Sequence, residues 1–506
     1  MTKAKGKVYL VGAGPGDPGL LTLRGAELLK RADVVVYDAL VNASLLKLAP
    51  KGAERIYGGK RPREHAQPQE ELNALLLAKA REGKCVVRLK GGDPYVFGRG
   101  GEEAEELARA KIPFEVVPGI SSIIAAPNYA GIPITHRDHC STFTVFTGHE
   151  DPAKPGSSID WEQVASIPGT KIILMGVERI AQIASSLMQF GLSGKTPVAL
   201  VRWGTTGRQQ SVEGTLETIA ATVAERQFTA PAVIVVGGVV SLRRTLNWFE
   251  QRPLFGRRVV ITRTRDQASE LCARLLELGA DVLEIPTIKI VPPTDLKHLG
   301  DAILELNSYD WLVFTSPNGV NEFFEYFFRA FDDLRDIGGV RIAAVGPATA
   351  ARLKELHLRV DLMPDRYLAS KLAKAMHEFQ SVENCKILLL RAEVATPDLP
   401  AALNELGAIV DDIACYKTVP ETEDLDGTAG RLLEEGADWI TFTSSSTVDN
   451  FHLRFNLPEL TTKFPKLRLA SIGPETTKTI VNLGLKPAIE AKPHTIDGLL
   501  KAMLGA

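Results

Sequence analysis

Short apolar runs alternate with amphipathic stretches along most of the chain, which is the pattern of strands followed by helices. In the amino-terminal half such runs lie at residues 8–11, 33–37 and 86–89, and turns rich in small or polar residues follow them. Repeated alternation of strands and helices favours largely parallel sheets. The pattern therefore predicts an α/β protein along the whole chain.

The sharpest break in this alternation lies at residues 247–256, between a strand and helix start at 232–246 and a new strand at 258–262. A weaker break lies near residue 118, where Pro118 and Gly119 follow an apolar run. We therefore predict a first domain over residues 1–246, with subdomains of about 1–118 and 119–246, and a second domain over residues 257–506.

The carboxy-terminal half contains an internal duplication. Residues 310–316 recur as 438–444, and residues 341–347 recur as 468–474. In the first pair of segments, an apolar run ends in Thr-Ser, which we expect to open a helix. The half is thus predicted to form two similar lobes. Their expected limits are about 257–288 plus 420–506 for lobe one and about 289–419 for lobe two.

Composition and charge narrow the class of protein. A chain of 506 residues is too long to fold around one hydrophobic core, so several domains are expected. Its net charge of −2 provides no global positive potential that would attract nucleic acid. The first apolar run ends at Gly12, which is short for a signal peptide or a membrane span. The five cysteines show neither a Cys-x-x-Cys pair nor zinc spacing. We expect a cytoplasmic enzyme with reduced thiols and without metal, membrane or nucleic-acid partners.

Two glycine-dense turns follow apolar runs and predict a ligand-binding cleft, because backbone without Cβ atoms can approach a ligand closely. Residues 12–18 read Gly-Ala-Gly-Pro-Gly-Asp-Pro, and residues 91–103 read Gly-Gly-Asp-Pro-Tyr-Val-Phe-Gly-Arg-Gly-Gly-Glu-Glu. The first turn is not a dinucleotide fingerprint, since Asp17 stands where the third glycine of Gly-x-Gly-x-x-Gly belongs. Nicotinamide binding is therefore disfavoured.

Together these two turns resemble the tetrapyrrole methylases, specifically the uroporphyrinogen-III C-methyltransferases, which use S-adenosylmethionine. The duplicated half resembles uroporphyrinogen-III synthase, a family of two flavodoxin-like lobes joined by a two-stranded connection. These resemblances imply a two-subdomain methylase fold followed by two synthase lobes. They also imply a bifunctional enzyme of sirohaem or cobalamin biosynthesis, and a homodimer formed through the methylase half.

The implied reactions act consecutively. Hydroxymethylbilane is cyclised to uroporphyrinogen III with inversion of ring D, and two methyl groups are then transferred to C2 and C7 to give precorrin-2. A methylase of another acceptor, fused to a non-catalytic two-lobed tetrapyrrole-binding module, is the alternative.

The methylase resemblance also implies the cofactor contacts. Gly91 and Gly92 would let main chain approach the cofactor, whereas Ser121 could equally be a helix N-cap and Met175 an ordinary core residue. The full set implied for S-adenosylmethionine is Pro15, Gly91, Gly92, Asp93, Val96, Ser121, Ser122, Met175 and Gly204. Gly207, beyond this set, stands where the family commonly has proline, and we expect little functional effect from that departure.

Proton transfer is assigned by the same resemblance to Asp38 as acceptor and Lys60 as donor. Asp38 follows a strand, at the carboxyl edge where α/β proteins bind ligands. Without the resemblance, Asp38 would be interpreted as a helix cap and Lys60 as a solvated loop cation.

The tetrapyrrole substrate carries eight carboxylates, so guanidinium groups are the expected anchors because their planar fork matches a carboxylate. Arg99 and Arg137 are the leading candidates, and Glu102 is expected to orient Arg99 from three residues further along the chain. Arg137 could equally form a surface ion pair with Asp138, which would contribute little.

Ring closure needs a folded substrate more than a strong nucleophile, so hydroxyls and amides at the lobe openings are the expected contacts. The set is Thr315, Ser316, Asn318, Gly319, Gly346, Ser444, Ser445, Ser446 and Gly473. Tyr416 matches a tyrosine at the lobe junction of the synthase family and could donate to the leaving hydroxyl, or be an ordinary buried strand aromatic.

Overall fold

The computed structural model describes residues 6–59, 69–148, 159–262, 269–365, 369–424 and 427–506, without the side chains of residues 269, 369 and 370. The described residues form four five-stranded sheets, each with helices packed against it. The predicted α/β class is confirmed.

The first sheet is parallel throughout, in the order β3-β2-β4-β1-β5. Its elements are β1 (Lys7–Gly12), α1 (Leu23–Leu29), β2 (Val34–Tyr37), β3 (Glu54–Tyr57), α2 (Gln69–Arg81), β4 (Cys85–Lys90), α3 (Gly100–Arg109) and β5 (Phe114–Val117). Alternate residues of β1 enter different cores, with Val8 and Leu10 on one face and Val11 on the other. Because helices cover both faces, the strand is an almost continuous apolar run.

The second sheet is mixed, in the order β6-β7-β10-β8-β9, because β10 runs antiparallel to both of its neighbours and β8 antiparallel to β9. Its elements, with a closing short helix, are α4 (Ser122–Tyr129), β6 (Phe143–Thr147), α5 (Trp161–Ser166), β7 (Thr170–Leu174), α6 (Ile180–Gln189), β8 (Pro197–Arg202), β9 (Gln210–Thr215), α7 (Ile219–Glu225), β10 (Ala232–Val236) and α8 (Arg243–Leu246). Short 3-10 segments in the two amino-terminal sheets are Pro18–Leu20, Ala43–Leu48, Val177–Arg179 and Gly238–Leu242.

The carboxy-terminal half holds the remaining two sheets. Its strands are β11 (Arg258–Ile261), β12 (Asp281–Glu284), β13 (Ile288–Val291), β14 (Trp311–Phe314), β15 (Arg341–Ala344), β16 (Lys386–Ala392), β17 (Ile409–Pro420), β18 (Trp439–Phe442), β19 (Arg468–Ser471) and β20 (Ile489–Glu490). Its helices are α9 (Ser269–Glu277), α10 (Leu296–Leu304), α11 (Pro317–Ala330), α12 (Pro347–Glu355), α13 (Ala369–Phe379), α14 (Asp398–Glu405), α15 (Thr428–Glu435), α16 (Ser445–Phe455), α17 (Leu457–Lys463), α18 (Pro474–Asn482) and α19 (Ile496–Leu504), with 3-10 segments Leu306–Ser308 and Leu334–Ile337.

The chain leaves the third sheet once and returns to it. That sheet has the parallel order β12-β11-β18-β19-β20, whereas the fourth has the order β13-β17-β16-β14-β15. The excursion begins at β13 and ends at β17, and these two strands pair antiparallel between Ile288 and Pro420. A two-stranded ladder therefore lies where the chain passes between the two lobes.

The duplicated segments occupy equivalent positions in these sheets. Trp311 begins β14 and Trp439 begins β18, and both side chains are fully buried. Each strand is followed by a helix whose N-cap is a serine, Ser316 or Ser444, which accepts a hydrogen bond from the third residue beyond it. The repeated sequence thus encodes a repeated strand, cap and helix.

The described part of the chain contains no helix both long and apolar enough to cross a bilayer. It also contains no group of three or more His, Cys, Asp or Glu side chains placed to hold a metal ion. All five cysteines are free.

Candidate functional site

A cavity of about 880 Å³ lies where the first two sheets meet the first lobe of the carboxy-terminal half. Its size falls in the range of small-molecule and cofactor sites. Seven of the residues singled out from the sequence line it, namely Pro15, Asp38, Gly91, Val96, Ser122, Met175 and Gly204. The cavity is the candidate functional site.

Glycine turns after three neighbouring strands build one wall of the site. The Gly92 amide donates to the Gly14 carbonyl at 2.8 Å, and the Gly14 amide donates to the Gly92 carbonyl at 3.2 Å. A Cβ on Gly12 would lie 2.5 Å from the Gly119 Cα, so the turns after β1 and β5 meet only because both lack side chains. Asp93 ties these turns together by accepting from the Gly119 amide at 3.0 Å.

Ser121 and Ser122 have different positions at the start of α4. The buried Ser121 is the N-cap and accepts from the Ile123 amide at 3.4 Å, as its helix-cap interpretation anticipated. Ser122, the first residue of the helix, lines the cavity. The described residues that line the cavity do not include Gly92, Asp93 and Ser121. These three hold the neighbouring turns and the start of α4 through their hydrogen bonds.

Several side chains at the cavity stand on backbone that is unusual for residues with a Cβ. Phe97, Met175 and Trp203 line the cavity with φ angles of 52°, 55° and 48°. Thr205 follows with φ 73°, and its hydroxyl accepts from the Asp17 amide at 3.0 Å. Left-handed non-glycine residues cost about 1 kcal/mol or more each and cluster at functional sites. The Met175 side chain is 51% exposed, so the alternative interpretation of Met175 as an ordinary core residue is wrong.

A buried ionic network holds Asp38 at the cavity edge. Arg88 and Lys90, both on β4 and both 2% exposed, point to Glu103, which is 1% exposed. Glu103 Oε1 accepts from Lys90 Nζ at 2.8 Å and from Arg88 Nε at 3.2 Å, while Arg88 Nη2 donates to Asp38 at 2.5 Å. Burial, followed by the charge of Arg88, lowers the pKa of Lys90 even though Glu103 opposes the shift. Asp38 is thus oriented by a guanidinium rather than acting as a helix cap.

Arg99 and Glu102 form the ion pair that the sequence suggested, with Arg99 Nη2 2.7 Å from Glu102 Oε2. Both side chains are more than half exposed, and they line a shallow depression that includes Glu105 and Arg109. Neither is among the described residues that line the large cavity. Their place in substrate binding therefore stays a prediction.

Lys60 and Arg137 are the other polar groups predicted in this half. Lys60 lies outside the described residues, although Gly59 beside it lines the cavity. Arg137 is exposed in a turn closed by the bridge between His136 and Cys140. Its alternative pairing with Asp138 is not formed, and Asp138 instead lies 3.8 Å from His136 Nδ1.

In the carboxy-terminal half, the predicted contacts gather at helix starts. Tyr416 is buried on β17 and its hydroxyl lies 3.0 Å from Ser316 Oγ, with Asn318 also in hydrogen-bonding contact. Ser316 accepts from the Gly319 amide at 3.0 Å, and Thr315 is the residue between β14 and this cap. Burial raises the pKa of Tyr416, so its hydroxyl keeps its proton and can donate.

The remaining predicted contacts of this half also lie at helix amino termini. Gly346 is the N-cap of α12 and Gly473 the N-cap of α18. Ser444 caps α16, its Oγ lies 3.0 Å from Ser446 Oγ, and Ser445 is the first residue of that helix. Each set presents helix amino termini, which suit carboxylate ligands.

Sequence reasoning missed the contribution of the carboxy-terminal half to the large cavity. The residues concerned are Leu276, Ala280, Asp281, Val282, Thr428 and Arg431. Arg208 lines the cavity beside them from the amino-terminal half, stacked on Trp203. Contacts between distant segments leave no periodic signal in the sequence. Gly207, whose departure from the family pattern was expected to have little effect, lies at this contact.

Comparison with known proteins gives two family matches. Residues 7–220 match the tetrapyrrole (corrin/porphyrin) methylases, and residues 269–501 match uroporphyrinogen-III synthase HemD. Porphyrin biosynthesis protein HemD of Ruminiclostridium josui is 38% identical over 99% of this chain and 98% of its own.

Other relatives match the amino-terminal half alone. The S-adenosyl-L-methionine-dependent uroporphyrinogen III methyltransferase of Methanosarcina barkeri is 54% identical over 49% of this chain and 96% of its own. A solved structure, uroporphyrin-III C-methyl transferase from Thermus thermophilus complexed with S-adenyl homocysteine, is 43% identical. It covers 47% of this chain and 100% of its own, with a TM-score of 0.40.

Proposed function

The chain belongs to the tetrapyrrole methylase family in its first part and to the uroporphyrinogen-III synthase family in its second, and we propose that it catalyses two consecutive steps. The second half cyclises hydroxymethylbilane to uroporphyrinogen III with inversion of ring D. The first half transfers two methyl groups from S-adenosylmethionine to C2 and C7, giving precorrin-2. The observation that carries this proposal is the cavity that brings together seven residues implied by the methylase resemblance.

The residues of the cavity fit S-adenosylmethionine. The cofactor would supply a methyl group activated on a sulfonium. Gly91 offers main chain without a side chain, Ser122 a hydroxyl at a helix start, and Val96 and Met175 apolar surface. Gly92 has φ 69°, a conformation that suits glycine and that keeps its turn close to Gly14.

Positioning carries most of this chemistry, because an electron-rich pyrrole carbon is already a nucleophile. Asp38 accepts the proton that the tetrapyrrole loses from another position after methyl transfer, because the methylated ring carbon carries a side chain and no hydrogen. Arg88 holds the Asp38 carboxylate at the cavity edge at 2.5 Å. Lys60 is the proposed proton donor. Arg99, oriented by Glu102, and Arg137 are the proposed anchors for substrate carboxylates.

Ring closure in the second half relies on an enforced substrate shape. Helix amino termini at the ends of β14, β15, β18 and β19 offer donors to the carboxylates of the bilane. The Tyr416 hydroxyl, held 3.0 Å from Ser316 Oγ, donates to the hydroxyl that leaves as water.

We further propose the domain limits predicted from the sequence, residues 1–246 and 257–506, and a homodimer formed through the methylase half. Cytoplasmic action is proposed with them, and the five free cysteines accord with a reducing compartment. The final cofactor of the pathway is sirohaem, cobalamin or a related tetrapyrrole.

The decisive experiment is incubation of the full chain with hydroxymethylbilane and S-adenosylmethionine, followed by mass analysis of the tetrapyrroles. A doubly methylated product derived from the type III isomer is expected. Methylation of supplied uroporphyrinogen III, while hydroxymethylbilane closes only to the isomer without ring inversion, would contradict the synthase assignment and support the non-catalytic binding module. Cyclisation without methylation would contradict the assigned acceptor.

A further inference from the structure

Arg208 is a cation in the cavity wall that has no ion-pair partner among the residues that the structure describes. Its guanidinium carbon lies 3.5 Å from the centroid of the Trp203 ring, which fixes the guanidinium on that aromatic face. Among the described residues it has no side-chain hydrogen bond, and the carboxylates of Asp281 and Glu435 act on it only through their charge. A half-buried charge in this situation is costly unless a ligand compensates it.

The neighbouring carboxylates are already neutralised by other arginines. Asp281 Oδ2 lies 2.8 Å from Arg431 Nη2 and 2.9 Å from Arg258 Nε, and Glu435 lies 2.6 Å from Arg258 Nη2. Burial would raise the pKa of Asp281, but these two arginines outweigh it and lower that pKa. Three guanidinium groups thus face two carboxylates, and the unbalanced positive charge is that of Arg208.

Burial and then the charge of Arg431 lower the pKa of Arg208 to about 10, against the opposing charges of Asp281 and Glu435. Arg208 therefore remains charged at neutral pH. A bound carboxylate would restore the balance, because a guanidinium fork matches that group with two hydrogen bonds.

The missing side chain of Gly207 allows the backbone of Ala280 and Asp281, from the carboxy-terminal half, to pack beside Arg208. A Cβ at this position would lie 2.1 Å from the Ala280 carbonyl carbon and 2.3 Å from the Asp281 nitrogen, both of them backbone atoms. The Gly207 carbonyl also accepts from the Gly256 amide at 3.1 Å, in the segment that links the halves. Only glycine permits this approach, which brings Asp281 and Arg431 into the lining of the cavity.

We propose that Arg208, at the junction with the first synthase lobe, binds a side-chain carboxylate of the tetrapyrrole that the methylase half takes as its substrate. The inference rests on the proposed function and adds to it a substrate-binding residue, together with a cavity wall supplied by the synthase half.

Charge distinguishes the tetrapyrrole from the cofactor as the source of this carboxylate. S-adenosylmethionine carries a sulfonium, an ammonium and one carboxylate, so its net charge is positive and a positive junction does not favour it. The tetrapyrrole carries eight carboxylates and no compensating cation. The unpaired Arg208 therefore complements the substrate.

The test compares the full-length protein with its Arg208→Gln and Arg208→Lys variants. Uroporphyrin III, which has the same carboxylates as uroporphyrinogen III but is not methylated, is titrated by absorbance to obtain Kd. S-adenosylhomocysteine is titrated by calorimetry. We expect Arg208→Gln to weaken uroporphyrin III binding at least about tenfold, and Arg208→Lys to weaken it less because the charge is kept. Binding of S-adenosylhomocysteine should stay at the wild-type value.

Arg226→Gln is the matched control, because Arg226 is exposed at the end of α7 and remote in sequence from the predicted site residues. It should leave both affinities unchanged. The melting temperature of unliganded Arg208→Gln should equal or exceed that of the wild type, since the variant loses the Trp203 contact but no carboxylate partner among the described residues, and it no longer desolvates a charge. Wild-type uroporphyrin III affinity in Arg208→Gln, or loss of S-adenosylhomocysteine affinity alone, would overturn the inference. A wild-type protein that neither binds uroporphyrin III nor methylates uroporphyrinogen III would overturn the proposed function itself.

Discussion

The substitution Glu103→Gln tests whether the ionic network under Asp38 is a structural element. Glu103 is the shared partner of two buried cations, with Lys90 Nζ at 2.8 Å and Arg88 Nε at 3.2 Å. Arg88 would keep Asp38 at 2.5 Å, so Lys90 is the cation left without a carboxylate among the described residues. Removing one partner of a buried ion pair costs about 3–5 kcal/mol, and we expect a loss of that size in the free energy of unfolding.

The exposed neighbour Glu105 provides a matched control on the same helix. Its side chain is 70% exposed and pairs with Arg109 at 3.0 Å, so Glu105→Gln should cost no more than about 1 kcal/mol. Urea unfolding is followed by tryptophan fluorescence and by circular dichroism, because the two halves can unfold in separate transitions. The loss is expected in the transition of the methylase half, which contains Trp161 and Trp203.

The pH dependence of this loss has a defined sign. Burial and Arg88 already hold the pKa of folded Lys90 below the ordinary 10.5, and loss of Glu103 lowers it further. Between the folded and unfolded pKa values the unfolded chain binds more protons, so stability rises with pH in that window. The destabilisation by Glu103→Gln should therefore shrink as pH is raised from about 7 toward about 10. A loss equal to that of Glu105→Gln, or one that grows with pH, would refute the reasoning.

Three further substitutions test the other assignments. Arg99→Lys should reduce methylation efficiency about tenfold to a hundredfold while calorimetry finds unchanged S-adenosylhomocysteine affinity, because lysine keeps the charge but loses the fork; collapse of cofactor affinity would contradict this. Tyr416→Phe should cost about 1 kcal/mol of stability and still give the type III isomer by chromatography, and complete loss of synthase activity in a folded variant would show that the hydroxyl is essential. Gly207→Ala should cost about 1–3 kcal/mol, seen as a lower unfolding midpoint than in the control Gly52→Ala, whose added Cβ meets nothing within 4 Å. Equal midpoints would mean that the two halves do not pack as closely as described.

The alternation of apolar and amphipathic segments was sufficient to predict the class of fold. It succeeded because strands such as β1 are covered on both faces and read as plain apolar runs. The duplication of Trp311 and Trp439 with their following caps was visible for a similar reason, since each copy must satisfy the same local hydrogen bonds. Such local rules are written in contiguous residues.

The buried network was missed although a signal was present. Arg88 and Lys90 alternate with apolar residues on one strand, so they share one face of the sheet. On α3 the buried Ala104 and Leu107 mark the inward face, and Glu103 lies on it whereas Glu102 does not. The helical period therefore distinguishes the two adjacent glutamates, and it assigns Glu103 to the core and Glu102 to the surface.

The wall supplied by the second half could not be predicted, because Ala280 and Asp281 are distant in sequence from the residues they meet. Gly207 could be noticed in the sequence as a departure from the family pattern. The absence of a side chain does not, however, identify the backbone that packs against the glycine. The glycine turns could be located from the sequence because their close backbone approach depends on residues that are contiguous and lack Cβ atoms. They lie at the cavity, and their contact with a ligand stays a prediction.

Arg88 and Lys90 are buried cations, and Arg208 is a half-buried one. The groups that compensate their charges indicate different roles for them. Arg88 and Lys90 share Glu103 inside the protein, so the folded state itself supplies the compensating charge. Among the described residues Arg208 contacts the Trp203 ring and no carboxylate, so we assign its compensating charge to the bound substrate. The same desolvation cost then predicts opposite effects on the unliganded protein: Glu103→Gln should destabilise it, whereas Arg208→Gln should not. If both substitutions were destabilising to the same degree, Arg208 would have to be a structural cation with a partner inside the fold, and its assignment to substrate binding would fail.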